Sequence, residues 1–158
     1  MFLAALILIL STGLFFFYLQ GTCQKILRRQ FAQEFSQSIV NANRLEFPSI
    51  RKAIEDLGSS VEYPRLALTL KCDFLALTYL LKNAANVNQR YSHEERLLIL
   101  YFKVVFFAMV SRHLLKLKEA PAALKLTSIL EYFANVVGER VNTVRFGNLT
   151  TSDYLLNL

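Results

Sequence analysis

Residues that interrupt helices or build metal sites are scarce in this sequence. Its 158 residues include only 5 glycines, 3 prolines and 2 cysteines. So few glycines and prolines leave few places for tight turns or strand bulges, which favours long helices. The two cysteines, Cys23 and Cys72, cannot form a metal-binding framework. We interpret them as free thiols in a reducing compartment, with a disulfide between them as the alternative.

Motifs of the common catalytic classes are also missing. The sequence has no phosphate-binding glycine loop, no H-E-x-x-H, no C-x-x-C and no G-x-S-x-G. Neither of its two histidines, His93 and His113, has a cysteine or second histidine at metal-ligand spacing. An axial cofactor ligand at His113 is a minor alternative. We therefore predict no enzymatic activity, no cofactor, no metal and no small-molecule substrate.

No cluster of basic residues dominates the chain. Its 18 Lys and Arg against 12 Asp and Glu give a net charge of +6, spread over nearly every segment. Nucleic-acid-binding proteins usually carry a contiguous basic face, so we predict no nucleic-acid partner. A surface held close to anionic lipid is the simpler explanation of the charge.

The N-terminal segment carries a long apolar run. Residues 1–19 read MFLAALILILSTGLFFFYL, and the next charge along the chain is Lys25. As a helix this run spans about 28 Å, close to the hydrocarbon thickness of a bilayer. We predict a transmembrane anchor over residues 1–22. The alternatives are a cleaved signal peptide, which normally has a basic start and a shorter core, a lipoprotein signal at Cys23, and a buried helix of a soluble protein.

Polar residues at the end of this run predict its orientation. Tyr18 suits the membrane–water interface, and Lys25, Arg28 and Arg29 follow. By the positive-inside rule, these cations place the C-terminal domain in the cytoplasm and the N-terminus outside a cell membrane, either inner or plasma membrane. The same cations can contact anionic headgroups, so membrane lipid is one predicted partner.

Residues 23–145 are predicted to form an all-α bundle of four to five helices. Apolar residues at every fourth position from Leu27 to Ile39 predict that the first helix runs unbroken from about Phe2 to about Asn43. Prolines at the second position predict further helices beginning near Phe47, Tyr63 and Ala120.

Local signals also mark the remaining helix ends. Ser92 and Glu95 form a capping-box pattern at the start of another helix. Gly58 is expected to end the helix that begins near Phe47, and Gly138 is expected to end or loosen the last helix.

Two segments are more apolar than a soluble bundle requires. Residues 97–110 are apolar at every position except Lys103, which predicts the central, fully buried helix. The alternative is that lipid or a partner protein covers one flank. Residues 146–158 are expected to form an apolar tail without a clear period. The candidate partner contacts in these segments are Phe106, Phe107, Tyr154, Leu155 and Leu156.

Charged residues embedded among apolar ones predict a buried ion pair. Asp73 lies in one apolar helix, and Lys103 and Arg112 lie in the next. Because a charge in a core must be paired, we expect Asp73 to pair with one of these two cations.

These expectations describe one kind of protein. A single transmembrane helix continues into a cytoplasmic all-α bundle, and the chain acts as a non-catalytic accessory or scaffolding subunit of a larger membrane-protein complex. Other subunits of that complex are therefore the second predicted partner. The alternative function is binding of a small apolar ligand or lipid between the helices of the bundle.

Overall fold

A computed structural model shows six helices in the residues that it describes, which confirms the all-α part of the predicted fold class. The structure describes residues 1–31, 33–57, 62–83 and 90–156, with side chains as far as Val144, and these residues contain no β-strand. The helices are α1 (Phe2–Leu27), α2 (Ser36–Asn43), α3 (Phe47–Leu57), α4 (Tyr63–Asn83), α5 (His93–Leu114) and α6 (Ala120–Leu156).

Local sequence signals place four helix starts correctly. Helices α3, α4 and α6 begin at Phe47, Tyr63 and Ala120, each with proline at its second position. The capping box of α5 is also confirmed. The Ser92 hydroxyl accepts the Glu95 N–H at 3.2 Å, and the Glu95 carboxylate accepts the Ser92 N–H at 3.0 Å. The predicted helix end at Gly58 lies outside the described residues.

The prediction of one continuous helix from Phe2 to Asn43 is wrong. Helix α1 ends at Leu27, and α2 begins at Ser36. The connecting segment instead packs against α6, where the ring of Phe31 meets Tyr132 edge-on at 5.4 Å between centroids. The side-chain oxygen of Asn135 in α6 then accepts the N–H groups of Phe35 and Ser36, both at 2.8 Å, which caps the N-terminus of α2. These contacts with α6 outweigh the local preference for helix.

Helix α6 is longer than predicted and replaces α5 as the central helix. It passes through Gly138 and continues to Leu156, so residues 146–156 of the segment expected to form a tail without a clear period are helical. It packs against α2, α3, α4 and α5. Its buried face includes Leu126, Ile129, Leu130, Phe133 and Val137.

Gly138 therefore has a packing role within α6. A Cβ atom at this position would lie 2.1 Å from the Cβ of Phe35. The missing side chain lets the segment before α2 lie directly against α6.

Candidate functional site

The exposed surface of α1 is the largest unpaired apolar feature of the described residues. Every residue from Met1 to Tyr18 is exposed, and only Leu19 and Cys23 of this helix are buried. By length and composition, α1 and α5 are the two helices of the described chain that could cross a membrane. A membrane anchor and a signal sequence share the properties of α1.

The last turns of α1 pack antiparallel against α5. The Cys23 thiol points to the carbonyl oxygen of Leu97 at 3.9 Å, near the start of α5. Earlier in α1, Phe16 lines a groove together with Ala108 and Arg112, near the end of α5. This groove has a volume of about 180 Å³, and Ala122 and Lys125 of α6 complete its wall. The N-terminal part of α1 therefore extends beyond the end of α5.

The predicted interface residues differ in their surroundings. Tyr18, Lys25 and Arg28 are exposed. Arg29 lies between two helices, with its guanidinium 3.8 Å from Glu94 of α5 and 3.7 Å from Glu139 of α6. Part of its charge is therefore matched by these two carboxylates.

Helix α5 has an exposed face. The exposed positions on this face follow helical spacing: Leu100, Lys103, Phe107 and Leu114. In the most apolar 18 residues of α5, only 28% are buried. Of the two phenylalanines predicted to contact a partner, Phe107 is 73% exposed. Phe106 is half-buried and stacks near Phe102, with ring centroids 6.1 Å apart. The side chains of Tyr154, Leu155 and Leu156 lie outside the described residues.

The turn between α5 and α6 presents three exposed leucines. Leu114, Leu115 and Leu117 are 76%, 70% and 53% exposed. Lys116 has a left-handed backbone with φ of 55°. The Leu117 N–H donates to the Arg112 carbonyl at 2.8 Å, the pattern of a Schellman end. The cations at the end of α5 do not by themselves predict these exposed leucines, although the alternation of leucine and lysine marks the turn.

Helix α4 has a second apolar face. Leu66, Leu70, Phe74, Leu77 and Leu81 are buried, as their spacing predicts. On the opposite side, Leu68, Cys72, Leu75 and Tyr79 are exposed. Their spacing of four, three and four residues is that of a coiled-coil seam. We call these four residues the α4 stripe; the sequence pattern alone does not show which of the two apolar faces is covered.

The predicted buried ion pair is wrong. Asp73 is buried, but its carboxylate accepts the backbone N–H groups of Glu46 and Phe47, at 2.9 and 2.7 Å, at the start of α3. Burial raises the pKa of Asp73, and these two hydrogen bonds partly oppose the rise. Lys103 and Arg112 are both exposed.

The described residues do contain one buried ion pair. Glu95 of α5 and Arg140 of α6 form it, and Arg140 also donates to the carbonyl of Leu81 at the end of α4. Residues separated by 45 positions in sequence have no shared local signal, so this pair was not predicted.

Two further grooves lie around the end of α1. One, of about 560 Å³, is lined by charged groups that include Arg29, Glu34, Arg51 and Glu131. The other, of about 550 Å³, lies between the start of α5 and α6 beside Glu94 and Arg140. Neither groove is lined by α4, and within the described part of the chain no three His, Cys, Asp or Glu side chains are grouped to hold a metal ion.

Comparison with protein-family models, curated proteins and solved structures finds no match for this chain. Its function is therefore argued from its own surfaces.

Proposed function

We propose that this chain is a membrane-anchored accessory or scaffolding subunit without catalytic activity. Helix α1 crosses the membrane with its N-terminus outside, and the bundle lies in the cytoplasm. The carrying observation is that eighteen consecutive uncharged residues of the N-terminal segment are exposed, while the following turns are built into the bundle. Exposure of so much apolar surface to water is unfavourable, and lipid removes that cost.

The α4 stripe supports the accessory role. Four exposed side chains at coiled-coil spacing fit the apolar seam of a partner helix. Helix α4 is thus anchored on one face to α6 and open on the other. The proposed partner surface is a helix of another subunit, which the anchor holds close to the membrane.

Thiol labelling allows a direct test of the topology. Cys72 belongs to the α4 stripe, which a partner helix would cover, so the probe is Lys52→Cys, an exposed position of α3, in a Cys72→Ser chain. Cys23 is buried and stays. A membrane-impermeant maleimide should label position 52 only after the membrane is permeabilised, whereas a Phe2→Cys variant of the same chain should be labelled in intact cells. Labelling of position 52 in intact cells would contradict the proposed orientation, and recovery of the chain in the soluble fraction would contradict the anchor.

The accessory role is tested by purification in mild detergent. The wild-type chain should elute as a complex larger than a monomer. Leu68→Ser with Leu75→Ser should release the partner, whereas Lys71→Ser with Lys82→Ser, on exposed polar positions of the same helix, should not. A monomeric wild-type chain without partners would argue strongly against this function.

A second candidate is the binding of a lipid or small apolar ligand. The groove between α1, α5 and α6 favours it, through apolar walls with Arg112 and Lys125 beside them. Its volume of about 180 Å³ is below the roughly 300–1,000 Å³ of most ligand pockets. Native mass spectrometry of the purified chain should then show a retained ligand mass that is lost in a Ala108→Phe variant.

A further inference from the structure

We propose that the turn between α5 and α6 is a second membrane contact, made by residues 114–118. In this arrangement Leu114, Leu115 and Leu117 enter the cytoplasmic leaflet, and the neighbouring cations bind anionic lipid headgroups. This inference rests on the proposed anchoring of α1 in the same membrane.

The first support is the level of the turn along α1. Because α1 and α5 are antiparallel, the end of α5 points toward the N-terminus of α1. Arg112 shares a groove with Phe16, and Leu115 follows Arg112 by three residues. The turn therefore lies beside Phe16 in the apolar run of α1, or beside residues that are nearer to the N-terminus of α1.

The second support is the position that the membrane must take. Phe15, Phe16 and Phe17 are all exposed and uncharged, so lipid that covers α1 must reach their level. The segment Phe2–Phe15 alone would cover only about 21 Å, against a hydrocarbon thickness of about 30 Å. Hydrocarbon that extends over Phe16 and Phe17 also reaches the turn.

The side chains of the turn fit such a position. The three leucines expose apolar surface that nothing in the described bundle covers. Arg112, Lys116, Lys118 and Lys125 supply positive charge around them. The nearby acidic group, Glu119, is bonded to the ring of His113, which itself stacks on Tyr63. The local charge is therefore positive, as an anionic leaflet requires.

The backbone hydrogen bonds of the turn also suit an apolar environment. The last carbonyl groups of a helix usually lack partners, which is unfavourable in lipid. Here the N–H groups of Leu115, Lys116 and Leu117 donate to the carbonyls of Ser111, His113 and Arg112. The turn thus combines exposed leucines, flanking cations and paired carbonyls, and it lies beside the exposed part of α1. This combination favours a lipid surface over a protein partner.

The test uses the full chain in vesicles of phosphatidylcholine and phosphatidylglycerol that contain a lipid-borne quencher. Cys72→Ser removes the exposed native thiol, and buried Cys23 stays. A fluorophore is then attached to one new cysteine: Ile9→Cys in α1, Leu115→Cys in the turn, or Tyr79→Cys as the control. Tyr79 is also exposed, but it lies near the opposite end of the bundle, next to Thr78, whose carbonyl accepts the hydroxyl of Tyr91.

We expect quenching at positions 9 and 115 and none at position 79. Quenching at position 9 without quenching at position 115 would overturn the inference and leave the anchor intact. Absence of quenching at both positions would overturn the proposed function as well. Equal quenching at positions 115 and 79 would show non-specific adsorption and also overturn the inference.

The charge contribution is tested with the same Leu115→Cys reporter. Omitting phosphatidylglycerol, or introducing Lys116→Gln with Lys118→Gln, should lower quenching at position 115 by about twofold or more, because each lysine loses its attraction to anionic lipid. Unchanged quenching would overturn the assignment of these cations to headgroups.

Discussion

Asp73 and Asn135 each cap the N-terminus of a helix other than their own. Asp73 in α4 accepts two N–H groups at the start of α3, and Asn135 in α6 accepts two at the start of α2. Each uses a single side-chain oxygen, and both residues are buried. These bonds satisfy helix donors that have no intrahelical partner and fix where two short helices meet the bundle.

Substitution of Asp73 should separate its hydrogen bonds from its charge. Asp73→Ala leaves two N–H groups unpaired, that of Phe47 buried and that of Glu46 partly buried, and should lower the free energy of unfolding by about 2–3 kcal/mol. Asp73→Asn retains an oxygen acceptor and removes the buried charge, so it should match or exceed the wild type at neutral pH. Denaturant unfolding in detergent measures both variants, and an equal loss in the two would contradict this assignment.

The raised pKa of Asp73 sets the sign of a pH effect. Burial makes the folded carboxyl hold its proton above the ordinary pKa of 3.8. The folded chain therefore binds more protons than the unfolded chain over this window, and stability falls as pH rises from 3.8 through the folded pKa. Asp73→Asn should remove this part of the pH dependence. If the free energy of unfolding of the wild type, measured relative to that of Asp73→Asn, instead rises with pH over the same window, the assignment is contradicted.

Gly138 should be intolerant of a methyl group. Alanine favours helix by about 1 kcal/mol over glycine, but its Cβ would lie 2.1 Å from Phe35. Because overpacking costs about 1–3 kcal/mol, we expect Gly138→Ala to lower the thermal unfolding midpoint. Gly21→Ala is the matched control, since no atom lies within 4 Å of its added Cβ. A stabilised Gly138→Ala chain would contradict the close approach.

At the scale of elements, the Glu95–Arg140 pair joins three helices. Glu95 closes the capping box of α5, and Arg140 reaches both this carboxylate and the carbonyl of Leu81. The C-terminal end of α4 and the N-terminal end of α5 are thereby attached to the middle of α6.

Removal of Arg140 should destabilise the bundle strongly. Arg140→Met leaves the Glu95 carboxylate buried and unpaired, with an expected loss of about 3–5 kcal/mol. Adding Glu95→Gln should recover much of this loss, because glutamine still accepts the Ser92 N–H. Arg51→Met is the control, since its pair with Glu131 is half-exposed and should contribute about 1 kcal/mol or less. Equal losses at Arg140 and Arg51 would refute the importance of burial.

At the scale of the whole molecule, α1 has an exposed N-terminal part and a C-terminal part that is built into the bundle. Its first eighteen residues are exposed, whereas Leu19 and Cys23 are buried against the bundle. Helix α1 is therefore fixed to α5 and α6 rather than linked through a flexible joint, so the orientation of the bundle follows that of α1.

Two truncations should distinguish these parts of α1. A chain that begins at Tyr18 should keep its unfolding midpoint, because all the residues that it lacks are exposed. A chain that begins at Lys25 also loses Leu19 and Cys23 and should be less stable by about 3–6 kcal/mol. If the shorter deletion already unfolds the bundle, the exposed part of α1 has a structural role that its burial does not indicate.

The sequence alone determined the helical class and most helix starts. Proline at a first turn and the Ser92–Glu95 box act within one or two helical turns, and the uncharged run to Tyr18 is contiguous in the sequence, so the physical effect of each is visible in neighbouring residues. Only the tertiary structure decided the break after Leu27, the continuation of α6 through Gly138 and the partners of Asp73. It also decided which apolar faces of α4 and α5 stay exposed. These features depend on contacts between residues far apart in the chain, which no local pattern of neighbouring residues records.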